Sequence, residues 1–332
     1  MKNSDIRSIL DKASEFNLDG LRQFLTSDSV RPLIAVGSGG MRGVADYAAL
    51  LYGAKNGLAR AMTPLEMNSL SDETLSRVKI LLLSKGGHNN DIEFAARRCL
   101  SVNPEKTACM CLYSGEKNKL RPLFAKAGAS QRDFRFDCDI HDGFVSSGSP
   151  LMYVALLARV FEPSLNTEAM TSSVALPGIE SLSGVSHFTI LLHGSWGLPV
   201  AGLLEGKFVE SGWASGQVSD LRNYCHGRFI FTSNHLDDSA VLMLLSPREK
   251  ELSARIRKFL PEKTKVVTIE TDYDSPSATL DLLVQSSLLF GALCEAADVN
   301  PDSPSNPGKI DKRVPISIPF VSELKKSGPL KI

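Results

Sequence analysis

Short apolar runs that end in loops of glycine and serine, each followed by helically spaced apolar residues, constrain this chain more than any other feature. The first run, Leu33-Ile34-Ala35-Val36, ends at Gly37-Ser38-Gly39-Gly40 and leads into a helical pattern through Tyr47, Leu50 and Leu51. The second, Val78 to Leu83, ends in Ser84-Lys85-Gly86-Gly87-His88-Asn89 before a helical stretch from Asp91 to Leu100. Strand-like runs at Thr107 to Leu112 and near Phe134 to Phe136, then an apolar helix over 150–161, continue the alternation. Runs that are apolar throughout belong to strands covered on both faces, and strands separated by helices join in parallel through crossovers. The expected class is an α/β protein with a doubly wound parallel sheet.

The same grammar restarts in the second half. Phe188 to Leu192 runs into Gly194-Ser195-Trp196-Gly197 and a helix, followed by expected strands over 228–232, 241–245 and 265–269 and a last helix over 279–297. Two such halves predict two domains in tandem, each a flavodoxin-like three-layer αβα unit. Ile6, Ile9, Leu10, Ala13, Leu21 and Leu25 predict a helical segment over 1–30, with the first domain over 31–163 and the second over 164–300. The boundary falls in the Ser-, Pro- and Thr-rich stretch between Pro163 and Ser183, and a proline-rich tail over 301–332 ends the chain.

With 332 residues, 43% of them hydrophobic, the chain has material for two cores. Lys plus Arg equals Asp plus Glu at 37 each, so no global field draws nucleic acid or a membrane surface, and a small-molecule partner is expected. The polar start Met1 to Ser8, with no apolar run approaching the roughly 20 residues that span a bilayer, predicts a cytoplasmic protein without a membrane segment. Six cysteines without Cys-x-x-Cys spacing read as reduced core thiols. Cys138 and His141 have a Cys-x-x-His spacing. Strand alternation alone, however, puts Cys109 and Cys111 on one face, and neither a metal nor a cofactor is assigned.

Glycines after a strand let backbone N–H groups approach an anion, and the following helix start adds partial positive charge. The third glycine of a dinucleotide fingerprint falls one residue late, at Gly43, and no Gly-x-x-x-x-Gly-Lys-Ser/Thr loop exists. Gly37, Ser38 and Gly39 with Ser84, Lys85, Gly86, Gly87, His88 and Asn89 are therefore read as a phosphate cradle at two neighbouring strand ends. Leu191-Leu192-His193-Gly194 resembles a hydrolase oxyanion loop, but no Gly-x-Ser-x-Gly is present to supply a nucleophile.

The order strand, Gly-Ser-Gly-Gly loop, helix, strand and Ser-x-x-Gly loop resembles the tandem sugar-isomerase (SIS) family, specifically the isomerase part of glucosamine-6-phosphate synthase. Pro199, Ala201, Lys207, Glu210 and His226-Gly227 stand at the spacings of that family's catalytic helix and histidine. Asp302-Ser303-Pro304-Ser305-Asn306-Pro307-Gly308-Lys309 fits its closing segment, and Gly143-Phe144-Val145-Ser146, followed by Ser147, resembles its sugar-lining stretch. The resemblance spans about residues 31–313. The second loop departs from the pattern, with Gly86 and Asn89 at hydroxyl positions and Lys85 and His88 as substitutes, and the family's Gly-Arg-Gly is replaced around His193 to Ser195.

The resemblance implies catalysis by Glu210, His226, Lys309 and Lys207, with Ser146 and Ser147 beside the sugar. A histidine suits ring opening, and a desolvated carboxylate suits proton transfer between C1 and C2. Lys207 would hold Glu210 ionised from one turn away, and Lys309 would neutralise an enediolate. The implied substrate is a phosphorylated sugar or amino sugar, the reaction an aldose-ketose isomerisation or a related deamination, and the assembly a homodimer. No cysteine stands near the start and about thirty residues precede the first strand, which speaks against a glutamine-dependent synthase. The alternative is a non-catalytic protein that binds a phosphosugar or nucleotide sugar as sensor or assembly component. The short lead leaves no room for a helix-turn-helix domain.

Overall fold

The computed structural model describes residues 2–28, 30–113, 115–140, 142–167, 170, 182, 185 and 188–305. The chain divides into two compact units, one spanning 16–139 and the other combining 1–15 with 140–305. Helix α1 (Asn3–Glu15) belongs to the latter, and α2 (Asp19–Thr26) to the former.

The unit over 16–139 carries β1 (Leu33–Val36), α3 (Gly40–Lys55), β2 (Ala59–Met62), α4 (Pro64–Asn68), α5 (Asp72–Arg77), β3 (Lys79–Leu83), α6 (Asn90–Val102), β4 (Thr107–Cys111), α7 (Leu120–Lys126) and β5 (Asp133–Arg135). Its sheet is parallel throughout, in the order β2-β1-β3-β4-β5. Strands β1, β3 and β4 are buried along their whole length, as runs that are apolar after the leading Lys79 of β3 and Thr107 of β4 require. Ile34, Val36, Ile80, Leu82, Cys109 and Cys111 pack with Ile92, Ala96, Cys99 and Phe124 into one core. The two strand thiols point to one face and are fully enclosed. Lys79, only 1% exposed, donates its ammonium to the carbonyls of Phe24 (2.9 Å) and Ser27, closing the C-terminal end of α2.

The other unit adds α8 (Gly148–Phe161), β6 (Phe188–His193), α9 (Leu198–Ser211), β7 (Ser215–Asp220), α10 (Leu221–Asn223), α11 (Phe229–Asn234), β8 (Ser239–Leu245), α12 (Lys250–Phe259), β9 (Lys265–Glu270) and α13 (Pro276–Ala296). Its parallel sheet runs β7-β6-β8-β9. The doubly wound α/β architecture with two parallel sheets is therefore as expected. Helix α8 packs against α1 and α13, and α13 also packs against α9.

Three local expectations are corrected. The stretch 228–232 is not a strand: it opens α11, whose Phe229 and Ile230 stay exposed while Thr232 is buried and pairs with the Tyr224 hydroxyl at 2.7 Å. The strand beside β6 is instead Ser215–Asp220, polar because an edge strand has only one neighbour to bury it. Helix α13 is long and apolar enough to cross a membrane, with mean hydropathy 1.4 over its most apolar window, although Ser277, Thr279, Asp281 and Gln285 interrupt its apolar run. In the fold 72% of that window is buried, the condition of a core helix that is apolar all round.

Candidate functional site

In the 16–139 unit, β1 is followed in sequence by β2 on one side and β3 pairs with it on the other, so the switch point of the sheet lies between β1 and β3. Gly37 closes β1 with no room for a side chain: a Cβ there would meet the Met41 carbonyl oxygen at 2.2 Å. Gly39, at φ +55°, turns the chain into α3. The partly exposed Ser38 lies between them.

The second loop is held from below. Ser84 Oγ accepts the Gly87 amide at 3.1 Å, the Lys85 carbonyl accepts the Leu112 amide, and the Gly87 carbonyl accepts the Lys119 amide. Asn118 is the buttress that sequence reading missed. Its Oδ1 accepts the amides of Leu120 (2.9 Å) and Arg121 (3.1 Å), its Nδ2 donates to the Tyr113 carbonyl, and it lies against Gly87. Gly87 has φ +63°, and a Cβ on it would sit 2.5 Å from the Asn118 amide. Gly87→Ala is therefore expected to cost about 1–3 kcal/mol through strain and displacement of Asn118, read as a lowered urea midpoint; an unchanged midpoint would refute the tight packing. The His88 ring folds against Gly86, and Asn89 spends its Oδ1 on the Asp91 amide as the α6 N-cap.

Charge around this crevice is mixed. Burial pushes the Asp91 carboxyl above its ordinary value, and its Oδ1 is enclosed without a hydrogen-bond partner. Arg42 at the start of α3 is paired with Glu66 at 2.7 Å and Asp46 at 3.5 Å. Lys119 reaches Glu93 at 2.9 Å and Asn90 Oδ1 at 2.7 Å.

The unit combining 1–15 with 140–305 holds the second group of expected residues. Lys207 and Glu210 lie on the last turns of α9, which Gly212 terminates at φ +70°. Lys207 is 3% exposed; its Nζ donates to the Ser146 carbonyl at 3.2 Å and to Ser147 Oγ, and faces the Phe290 ring at 5.5 Å. Burial pushes the amine down to about 8, against the opposing charges of Asp142 and Glu210. Glu210 keeps an exposed surface, yet burial of its carboxyl raises it above the ordinary carboxylate value. Lys207 pulls the other way and Glu205 adds to the rise. The expected ionising influence of Lys207 is thus present but outweighed by desolvation.

Asp142, absent from the expected set, organises this cluster. Its Oδ1 accepts the amides of Ser147 (3.2 Å), Gly148 (2.7 Å) and Ser149 (3.3 Å), and its Oδ2 accepts the Ser149 hydroxyl, which satisfies the start of α8. An Asp some residues ahead of a Ser-Gly-Ser-Pro helix start is the only signal that pointed to it. The segment after α13 docks on the same loop, with the amides of Phe144 and Val145 donating to the carbonyls of Asp302 (3.3 Å) and Pro301 (3.1 Å). Asp142, Gly143, Val145 and Ser147, with residues of α1 and α13, line a cavity of about 870 Å³.

His226 is not brought into this cluster. It sits exposed in a bend with Gly227 at φ +112°, and no hydrogen bond or ion pair joins it to Lys207, Glu210 or Ser147 among the described residues. Lys309 and His141 lie outside the described residues. Among the described residues no group of three or more His, Cys, Asp or Glu is placed to hold a metal ion. The corresponding crevice of the second sheet is filled from within: Glu249 accepts the Ser246 amide at 2.9 Å and packs on Gly194, where a Cβ would lie 2.0 Å from its carboxyl carbon. His193 there is buried, pushed below its ordinary value by burial, and bonded to the Gly194 carbonyl at 2.8 Å.

No family model matches the sequence, and no curated protein matches it. Solved structures do. The Escherichia coli tagatose-6-phosphate ketose/aldose isomerase matches with TM-score 0.66 at 16% identity, covering 91% of this chain and 95% of that one. The Thermotoga maritima glucosamine-6-phosphate deaminase matches with TM-score 0.64 at 16% identity, covering 91% and 97%. The C-terminal domain of the Francisella tularensis glucosamine-fructose-6-phosphate aminotransferase matches with TM-score 0.62 at 13% identity, covering 91% and 96%. At such identities the likeness is one of fold: over nine-tenths of its length the chain shares the parallel α/β architecture of these three structures.

Proposed function

We propose that the chain acts on a phosphorylated hexose or hexosamine, with Glu210 moving a proton between C1 and C2 of the open-chain sugar. The observation that carries this reading is the carboxyl of Glu210, made more basic by burial, on the same helix end as the enclosed Lys207. Lys207 and Asp142 fix the Ser146-Ser147 loop, which in this reading contacts the sugar. In the 16–139 unit, taken by itself, the loops at Gly37–Gly39 and Ser84–Asn89 supply glycine backbone, the Lys85 ammonium and the His88 ring to an anion such as phosphate. Solved structures of the same fold carry phosphosugar names, which supports the substrate class. Lys309 as an enediolate partner, and a homodimer in which exposed His226 serves a neighbouring copy, complete the reading.

A binding-only role is favoured by one observation: among the described residues no hydrogen bond or ion pair joins the exposed His226 to the Lys207 cluster of its own unit. Incubation with glucose 6-phosphate, fructose 6-phosphate and glucosamine 6-phosphate in deuterated water, beside calorimetric titration of each, separates the two. Exchange at C2 of at least one binder is expected; binding without exchange throughout would leave only the sensor reading.

A further inference from the structure

The cavity in the unit combining 1–15 with 140–305 presents one hydroxyl in an unusual setting. Ser147 lines it and is partly exposed, and its Oγ is hydrogen-bonded to Lys207 Nζ. The amine is closed off elsewhere by the Ser146 carbonyl and the Phe290 ring, so Ser147 stands between it and the cavity. Asp142 holds the amides of Ser147, Gly148 and Ser149, which fixes the backbone that aims the hydroxyl.

We propose that Ser147 and Lys207 form a serine–lysine dyad that makes Ser147 an acylatable nucleophile, with small carboxylic esters as the substrate class. This activity shares Ser147 and Lys207 with the sugar reading but stands without it, because its reacting atom is Ser147 Oγ and not the Glu210 carboxylate. Neutral Lys207 accepts the Ser147 proton as Oγ bonds to the ester carbonyl carbon. The tetrahedral species collapses with cleavage of the carbon–oxygen bond to the leaving alcohol, which takes the proton from the lysinium. Water then adds to the acyl-serine, passing a proton to Lys207, and the carboxylic acid leaves as Ser147 recovers its proton. An amine lowered to about 8 supplies the neutral form at mildly alkaline pH, while the carboxylates facing it, Asp142 and Glu210, stabilise the lysinium once formed. The first amides of α8 are already held by Asp142, which leaves the lysinium as the positive group beside the oxyanion. Stoichiometric acylation with slow turnover follows.

The full chain is treated with a fluorophosphonate and, separately, with p-nitrophenyl acetate between pH 6 and 10, and adducts are located by peptide mass spectrometry. A single adduct on Ser147 is expected, forming about tenfold faster above pH 8 than at pH 6.5. Ser147→Ala abolishes it. Lys207→Arg, which keeps a cation but no base, slows it about tenfold. Because an arginine in so enclosed a place can fail to fold, circular dichroism accompanies each variant and the unmodified chain's pH profile is the primary measurement. No adduct on Ser147, or one forming at the same rate across this range, would overturn the dyad, as would an undiminished rate in a folded Lys207→Arg.

Discussion

Glu210→Gln removes C2 deuterium incorporation, slowing it by about 10²- to 10⁴-fold, while the same sugar phosphate binds within a few-fold of its original affinity. The amide keeps the shape of the carboxyl but accepts no proton from carbon. The substitution is clean in this fold, because Glu210 is an exposed residue near the end of α9 and is neither hydrogen-bonded nor ion-paired among the described residues. Its loss breaks no hydrogen bond or ion pair, and although it removes one of the opposing charges felt by buried Lys207, folding stability changes by about 1 kcal/mol or less. The carboxyl is raised above its ordinary value, so the exchange rate of the unsubstituted chain falls as pH drops through that raised value, earlier than for a solvated glutamate. Nuclear magnetic resonance of the exchanged sugar reads both effects. Retention of exchange in the folded glutamine variant would remove Glu210 from the chemistry and with it the isomerase reading.

How far this arrangement is legible in the sequence depends on which force shapes each segment. Strands β1, β3 and β8 are enclosed on both faces, so their apolar runs announce them. The loops after β1 and β3 need glycine for steric reasons at Gly37 and Gly87, so glycine marks them too. Strand β7 carries no such mark, since an edge strand is specified by its neighbour's backbone rather than by its own side chains. The reverse error occurs at 228–232, where aromatic and β-branched residues imitate a strand but leave Phe229 and Ile230 exposed on a helix. In the site, spacing along α9 is enough to bring Lys207 and Glu210 within each other's electrostatic influence, because residues three apart share a helix face. The contacts that set their chemistry come from loops with no period. Ser146 and Ser147 reach Lys207 across 61 and 60 residues of sequence, and Asn118 reaches Gly87 from the start of another helix. No local pattern carries such meetings.

Lys207 gives the second large expectation, a stability that rises on the alkaline side. Its amine falls from the ordinary 10.5 to about 8 in the folded chain, because a fully enclosed ammonium loses more hydration than Ser146, Ser147 and Phe290 return. The unfolded lysine holds its proton more tightly than the folded one, so between these values the unfolded state binds more protons and stability increases with pH. The contribution is fully present above 10.5 and is lost as pH falls through about 8, leaving at neutrality a penalty of about 3 kcal/mol. Lys207→Met removes the titration while keeping an unbranched apolar stem over Phe290. Urea unfolding of both chains at pH 7 and pH 10 is expected to show the unsubstituted chain gaining about 2–3 kcal/mol relative to the variant, with tyrosine and cysteine ionisations cancelling in the comparison. The variant leaves the Ser146 carbonyl and Ser147 hydroxyl short of a donor, but that cost does not change with pH and so shifts only the offset between the two curves. Parallel curves would mean that Lys207 titrates as a solvated lysine does. The proton it gives up near pH 8 would then not exist, and Ser147 would have no base.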